Sequence, residues 1–394
     1  MRFSTTFWLR VSGRLLCLAK PEGPAGAAFR APVAEKLARR GGSTQVGTGG
    51  AASQGQRVPR QSCAAAWATA QPQRSRSTGW SLGILALIAS PAFALILLGY
   101  IQRGPTTNGV RPGGPFDGDR AFADLRRLIA FGPRPPGSKA LELTRQWITQ
   151  ELQNTGVAVE RDPFVASTPL GAVPMVNLLS KIPGTGSSIV IIAGHYDTKR
   201  LGSIFAGAND GGSSAAFLLE LAHVLARKKH ALTYWLVFFD GEEALQHWSN
   251  TDGRYGSRHF AQELSAQGTL SQVRALILVD MIADAHLDIR REAHSTPWLS
   301  DIVFAQARRL GYGRYFLNRP WAVEDDHIPF LELGISAVDI IDLDYGPFNL
   351  YWHTRYDTVD ECSPASLAIV ARVVLASLAA LETNPPYQPS GASS

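Results

Sequence analysis

Apolar positions along the chain fall into three patterns. Residues 80–101 form a run of 22 without a single charged side chain. As a helix this run would extend roughly 33 Å, enough to cross a bilayer core, and a buried globular helix of that length would ordinarily keep a polar face. Farther on, apolar residues recur at helical spacing over 119–130, 139–154, 213–226, 298–310 and 364–381, and Gly156 closes the second of these. Between them lie short runs rich in Val, Ile, Leu and Phe at 157–165, 175–182, 188–193, 232–239, 275–280 and 337–341, several of them apolar on both faces. Strands of this kind alternating with helices predict an α/β fold, a three-layer sandwich with a mixed central β-sheet flanked by helices, over residues 119–383.

Composition changes the picture at the two ends. The chain of 394 residues carries a formal charge of +5. Residues 1–79, however, hold 12 Lys/Arg and 2 Asp/Glu, so everything after them is net acidic. A nucleic-acid partner read from overall basicity would rest on the leader alone, and none is expected. The leader is rich in Gly, Ala, Ser and Gln without sustained periodicity and is expected to be disordered. Arg74 and Arg76 precede the apolar run and Arg103 follows it, while Trp80 and Tyr100 occupy its ends. By the positive-inside rule this is a signal anchor, with a cytoplasmic leader and an extracytoplasmic domain, periplasmic in a bacterium. Residues 102–118 read as a Pro/Gly linker and 384–394 as a disordered tail.

Candidate chemistry sits where the predicted strands end, which is where open α/β sheets bind ligands. Residues 188–193 run into Gly194-His195-Tyr196-Asp197, 232–239 into Asp240-Gly241-Glu242-Glu243, and 275–279 into Asp280. Asp210 follows the small-residue loop Ala206-Gly207-Ala208-Asn209, and His353 stands in Tyr351-Trp352-His353-Thr354. These five imidazole and carboxylate side chains suit Zn²⁺, which takes three protein ligands plus water or substrate at a catalytic site. The adjacent Glu242 and Glu243 invite a division of labour, because a metal-bound carboxylate is a poor base: Glu243 for the metal, Glu242 for proton transfer. Asp197 either accepts the second N–H of the His195 ring or caps the next turn.

The ordered set HYD, GAND, DGEE, Asp280 and YWH resembles the zinc-dependent M28 exopeptidase superfamily over roughly residues 120–383. The segments DGEEALQHWSNTDGRYGSRH at 240–259, VEDDHIPFL at 323–331, DPFVASTPLG at 162–171 and Trp352-His353 resemble animal-type glutaminyl-peptide cyclotransferases, which close an N-terminal glutamine of a peptide or protein into pyroglutamate. The resemblance implies one zinc held by Asp210, Glu243 and His353, proton shuttling by Glu242, and Asp280 and Asp325 as further acidic members of the catalytic hydrogen-bond network. It also implies that Trp248 and Trp352 line the pocket for the glutaminyl side chain; the alternative for each Trp is core packing.

Some positions depart from that pattern. Gly194 stands where the animal enzymes commonly carry a disulfide-forming Cys, and with Cys17 and Cys63 in the leader, Cys362 has no partner within the folded part. Asp339, twelve residues after His327, replaces a network His, and both residues are expected to support the site from behind. The short loop from His195 to Asp210 looks more like the aminopeptidases, so a second reading is a two-zinc M28 aminopeptidase. There His195 and Asp280 are ligands to a second metal, Asp210 bridges, and Glu242 activates water. A third is a catalytically silent receptor-like ectodomain, against which the intact Glu242 and ligand set argue.

Overall fold

The structure is a computed structural model and describes residues 103–383, together with 7–11, 14–18 and 98–99. The expected anchor at 80–101, apart from Leu98 and Gly99, and the tail at 384–394 lie outside the described residues. The chain divides into two units, Met1–Arg74 and Ser75–Ser394. In the first, β1 (Phe7–Val11) and β2 (Arg14–Leu18) pair antiparallel with Leu9 opposite Leu16. The leader's composition did not foretell this pair.

In the second unit all six expected strands form one sheet: β3 (Val159–Thr168), β4 (Gly171–Ile182), β5 (Ile189–His195), β6 (Thr233–Phe239), β7 (Val273–Asp280) and β10 (Ala337–Ile341). Their order is β10-β7-β5-β6-β4-β3, parallel from β10 to β6 and antiparallel from β6 to β3, so the sheet is mixed as the sequence predicts. Both faces are covered. Val190 and Ile192 of β5 point into a core shared with α1 (Gly118–Ile129), α2 (Lys139–Asn154), α3 (Ser214–Leu225), α5 (Pro297–Arg309) and α7 (Pro364–Thr383). The alternate residues Ile189, Ile191 and Ala193 face a second core with α4 (Tyr255–Ala266) and α6 (Ile328–Glu332). Period-two alternation between two apolar layers explains why these strands read as continuous hydrophobic runs.

Side-chain caps fix the starts of α1 and α2. The Asp117 carboxylate accepts from Arg120 N at the start of α1, and the Ser138 hydroxyl accepts from Leu141 N at the start of α2. Among the described residues α7 is the one helix long and apolar enough to cross a membrane. Most of its side chains are buried and it packs on α1, α3 and α5, so it is a core helix of this domain.

The stretch expected to be a loose linker is fastened down at its start. Thr107 N donates to Ala285 O at 2.8 Å, Thr107 Oγ1 lies 2.9 Å from Ser366 Oγ, and the Arg103 guanidinium reaches Glu361 at 3.5 Å. Beneath the sheet edge, Arg145 of α2 donates to the buried Asp240 at 2.7 Å and to Tyr196 Oη at 2.8 Å, while Val176 N also donates to Asp240. Removing one partner of such a pair strands a buried charge, so Arg145→Met is expected to lower stability by about 3–5 kcal/mol in urea unfolding. A loss below about 1 kcal/mol would show that Asp240 does not depend on its cation.

Candidate active site

The site gathers at the carboxyl ends of the parallel strands. His195 is the last residue of β5 and Asp280 the last of β7, while Glu242 and Glu243 follow β6 by three and four residues. Asp210 lies in a wide turn just before α3, where its own backbone is extended and Gly211 takes φ +79°. A Cβ at Gly211 would meet the Asp197 carbonyl oxygen at 2.3 Å and the His195 ring at 3.0 Å, so only glycine lets this turn pass so close to the imidazole. The buried Asp357 holds the turn from the other side, accepting from Asn209 N at 2.7 Å and Asp210 N at 3.2 Å. His353 itself adopts φ +55°, an uncommon backbone for a residue other than glycine and one that turns its ring toward the carboxylates.

Two trios of ligand-type side chains share Asp210. His353 Nε2 lies 3.1 Å from both Asp210 Oδ2 and Glu243 Oε1. His195 Nε2 lies 3.1 Å from Asp280 Oδ1 and 3.3 Å from Asp210 Oδ1. Within each trio, Asp210–Glu243–His353 and His195–Asp210–Asp280, the donor atoms lie within 4.8 Å of one another. The trios differ in how far their atoms are already used. Asp280 Oδ1 accepts from Met281 N at 2.8 Å and Ser214 Oγ at 3.3 Å and also meets His195. Asp210 Oδ2 is buried and takes no hydrogen bond, although the His353 nitrogen is close. Donor atoms that converge in this way suit a common cation, and one imidazole with two carboxylates is a donor set that fits Zn²⁺.

The electrostatics agree. Burial would raise the Asp210 carboxyl, but the His195 and His353 rings beside it hold it well below the usual carboxylate range. Burial would lower His353, yet its bonds to Asp210 and Glu243 raise it to about 9. His195 is likewise raised against burial, by Asp280 and by hydrogen bonds to Asp197, Asp210 and Asp280. The carboxylates thus make this a place where positive charge is favoured. Glu242, nearly fully buried, is pushed well above the usual carboxyl range, chiefly by burial and then by Glu243 and Asp325, with His195 opposing.

These residues border a cavity of about 360 Å³ lined by Asp210, Glu242, Glu243, Asp280, Asp325 and His353, with Trp248 and Trp352 at its rim. Both indoles are exposed, at 39% and 37%, which removes the core-packing alternative for them. Trp352 stacks on the His353 ring at 4.2 Å, and the Arg254 guanidinium lies 5.4 Å over Trp248. Asp325 Oδ2 is buried without a hydrogen bond, and burial with Asp280 and Asp326 nearby pushes this carboxyl up. The Asp197 carboxylate lies 3.4 Å from His195 Nδ1 and accepts from the backbone N–H groups of Glu242 and Glu243, in the loop after β6. His327 and Asp339 are fully buried and do not border the cavity. His327 Nε2 pairs with Glu292 at 3.2 Å, and neither Asp339 oxygen has a hydrogen-bond partner. Cys362 is buried and free.

Sequence reasoning missed Lys199, whose ammonium lies 3.1 Å from Glu243 Oε2 on the cavity wall, and Asp357, which clamps the Asp210 turn. Neither belongs to a motif with a recognisable spacing.

Residues 177–378 match peptidase family M28. The glutaminyl-peptide cyclotransferase-like protein of Mus musculus is 30% identical over 330 residues, covering 76% of this chain and 84% of that protein. The chain belongs to peptidase family M28 and groups with its glutaminyl-peptide cyclotransferases. The crystal structure of an Acidobacteriales bacterium glutaminyl cyclase is similar at 38% identity and a TM-score of 0.66, over 71% of this chain and 99% of that one. The Porphyromonas gingivalis glutaminyl cyclase follows at 28% identity and a TM-score of 0.63, over 68% of this chain and 100% of that one. The matched family region contains every residue of the two trios.

Proposed function

We propose that the domain closes the N-terminal glutamine of peptides or proteins into pyroglutamate with release of ammonia. The observation that carries this reading is a buried carboxyl, Glu242, beside the Asp210–Glu243–His353 trio in a small cavity rimmed by two tryptophans. The substrate class comes from the relatives. A zinc ion held by Asp210, Glu243 and His353 would supply Lewis-acid polarisation of the glutamine side-chain carbonyl. Trp248 and Trp352 hold the glutaminyl chain folded back on itself, so that its α-amine lies against that carbonyl carbon, and exclude competing water. As the new C–N bond forms, Glu242 accepts a proton from the amine and returns it to the departing nitrogen, which leaves as ammonia. A carboxyl raised by burial suits both halves of that transfer. Asp280 and Asp325 are further acidic members of the hydrogen-bond network around these groups, with Asp197, His327 and Asp339 behind them. Residues 80–101 would anchor this domain to a membrane with residues 1–79 on the cytoplasmic side.

The trio His195–Asp210–Asp280 favours the aminopeptidase reading, since with the first trio it could hold a second ion. Carboxylates of both trios are engaged, Asp280 by Met281, Ser214 and His195 and Glu243 by His353 and Lys199, so the single-zinc reading rests on the resemblance to the cyclotransferases. Mass spectrometry of a Gln-initiated peptide after incubation distinguishes them. Loss of the mass of ammonia, with about one zinc per chain in metal analysis, is expected. Release of a free N-terminal residue with about two zinc ions would establish the peptidase instead.

A further inference from the structure

Two loops beside the site carry exposed apolar side chains that neither the core nor the cavity uses. In the loop after β5, Leu201 and Ile204 are exposed at 36% and 64%; in the loop before His353 and just past it, Phe348, Leu350 and Tyr356 are exposed at 47%, 58% and 50%. With Trp352 they account for half of the large apolar side chains that are exposed among the described residues. Both loops touch the site directly. Lys199 and His353 border the cavity, and buried Phe205 meets the His353 ring edge-on at 5.9 Å. Their charged residues are of one sign: over 199–205 and 346–356 the sequence carries Lys199, Arg200 and Arg355 and no Asp or Glu.

The chain enters the domain at this same rim. The apolar run ends at Ile101, and Arg103 is already fixed, 3.5 Å from Glu361 and 5.3 Å from the Tyr351 ring centroid. Two residue steps reach at most about 7 Å. Gly99 lies against Phe348, for a Cβ there would come within 2.3 Å of that ring. Gly104 and Thr107 are fastened in turn to His286 and Ala285, so no slack separates the end of the apolar run from the loop that carries His353.

We propose that these two loops form a membrane-docking surface, with Leu201, Ile204, Phe348 and Leu350 seated in the interface of an anionic bilayer and Arg200 and Arg355 among its headgroups. Exposed aliphatic and aromatic side chains interleaved with cations, and without carboxylates, are the composition that interface takes. The inference rests on the reading of residues 80–101 as a membrane anchor. Its consequence is that the cavity opens along the bilayer surface and takes N-termini held close to it.

The test uses the full chain with Cys17 and Cys63 replaced by Ser, reconstituted in phosphatidylglycerol/phosphatidylethanolamine vesicles. An environment-sensitive thiol probe is placed at Leu350→Cys or, as control, at exposed Ser187→Cys, which precedes the opposite end of β5. Doxyl lipids are expected to quench the Leu350→Cys probe, and iodide to quench it at least about threefold less than the Ser187→Cys probe. Equal iodide quenching at both sites, in chain that resists carbonate extraction, would overturn the docking while leaving the anchor intact. A Leu350→Cys probe shielded from iodide but untouched by doxyl lipid would assign the surface to a protein, such as a second copy, and overturn it as well. Release of the chain by carbonate would overturn it through the anchor itself. None of these readouts depends on cyclisation, so failure of the docking and failure of the enzymatic reading are distinguishable.

Discussion

Glu242→Gln is expected to keep its zinc and fold and to lose turnover by about 100- to 10,000-fold, the usual share of a positioned acid/base. The substitution removes the proton acceptor and leaves the shape. Glu242 N still donates to Asp197 and its carbonyl still accepts from Arg254, so the loop that places Glu243 is unchanged. Metal analysis, thermal unfolding and turnover of a Gln-initiated peptide check the three parts separately. Turnover within about threefold of the native chain would remove Glu242 from the reaction, whereas loss of zinc together with turnover would mean that it acts through the metal site.

His353→Ala is the second large effect. It deletes the single imidazole of the Asp210–Glu243–His353 trio and leaves two buried carboxylates facing each other, with Lys199 beside Glu243 and His195 beside Asp210. Losing a residue that only orients a ligand commonly costs about 10- to 100-fold in metal affinity, so losing a ligand is expected to exceed that and to abolish turnover. Equilibrium dialysis against zinc measures it. If His195→Ala lowers affinity as much as His353→Ala does, the trio around Asp280 binds metal as well and the two-zinc reading gains. An effect confined to His353→Ala favours a single ion.

The sheet was legible because its central strands are buried on both sides, leaving runs such as Ile189–His195 with nothing but apolar residues and a terminal His. The ligand-type residues His195 and Asp280 stood out for a related reason: each ends a buried apolar strand, where an imidazole or carboxylate first meets the site. Elements whose stability comes from elsewhere were not. β8 (Ile289–Glu292) and β9 (Phe316–Trp321) carry arginines and a proline and pair only with each other. α4 begins on a left-handed Arg254 and is half polar, and α6 is five residues long. The roles of Lys199 and Asp357 are tertiary in the same sense, since each gains its meaning from Glu243 or the Asp210 turn, which lie 44 and 147 positions away in the chain.

The three residues of the first trio come from a turn before α3, the loop after β6 and a loop after β10, so unfolding scatters them along more than a hundred residues. A cation that binds only their assembled form draws the folding equilibrium toward the native state by mass action, by about 4 kcal/mol when free metal stands a thousandfold above its dissociation constant. Zinc supply would then set the lifetime of this domain against proteolysis as well as its catalytic competence, and metal starvation would lower the amount of protein together with its activity.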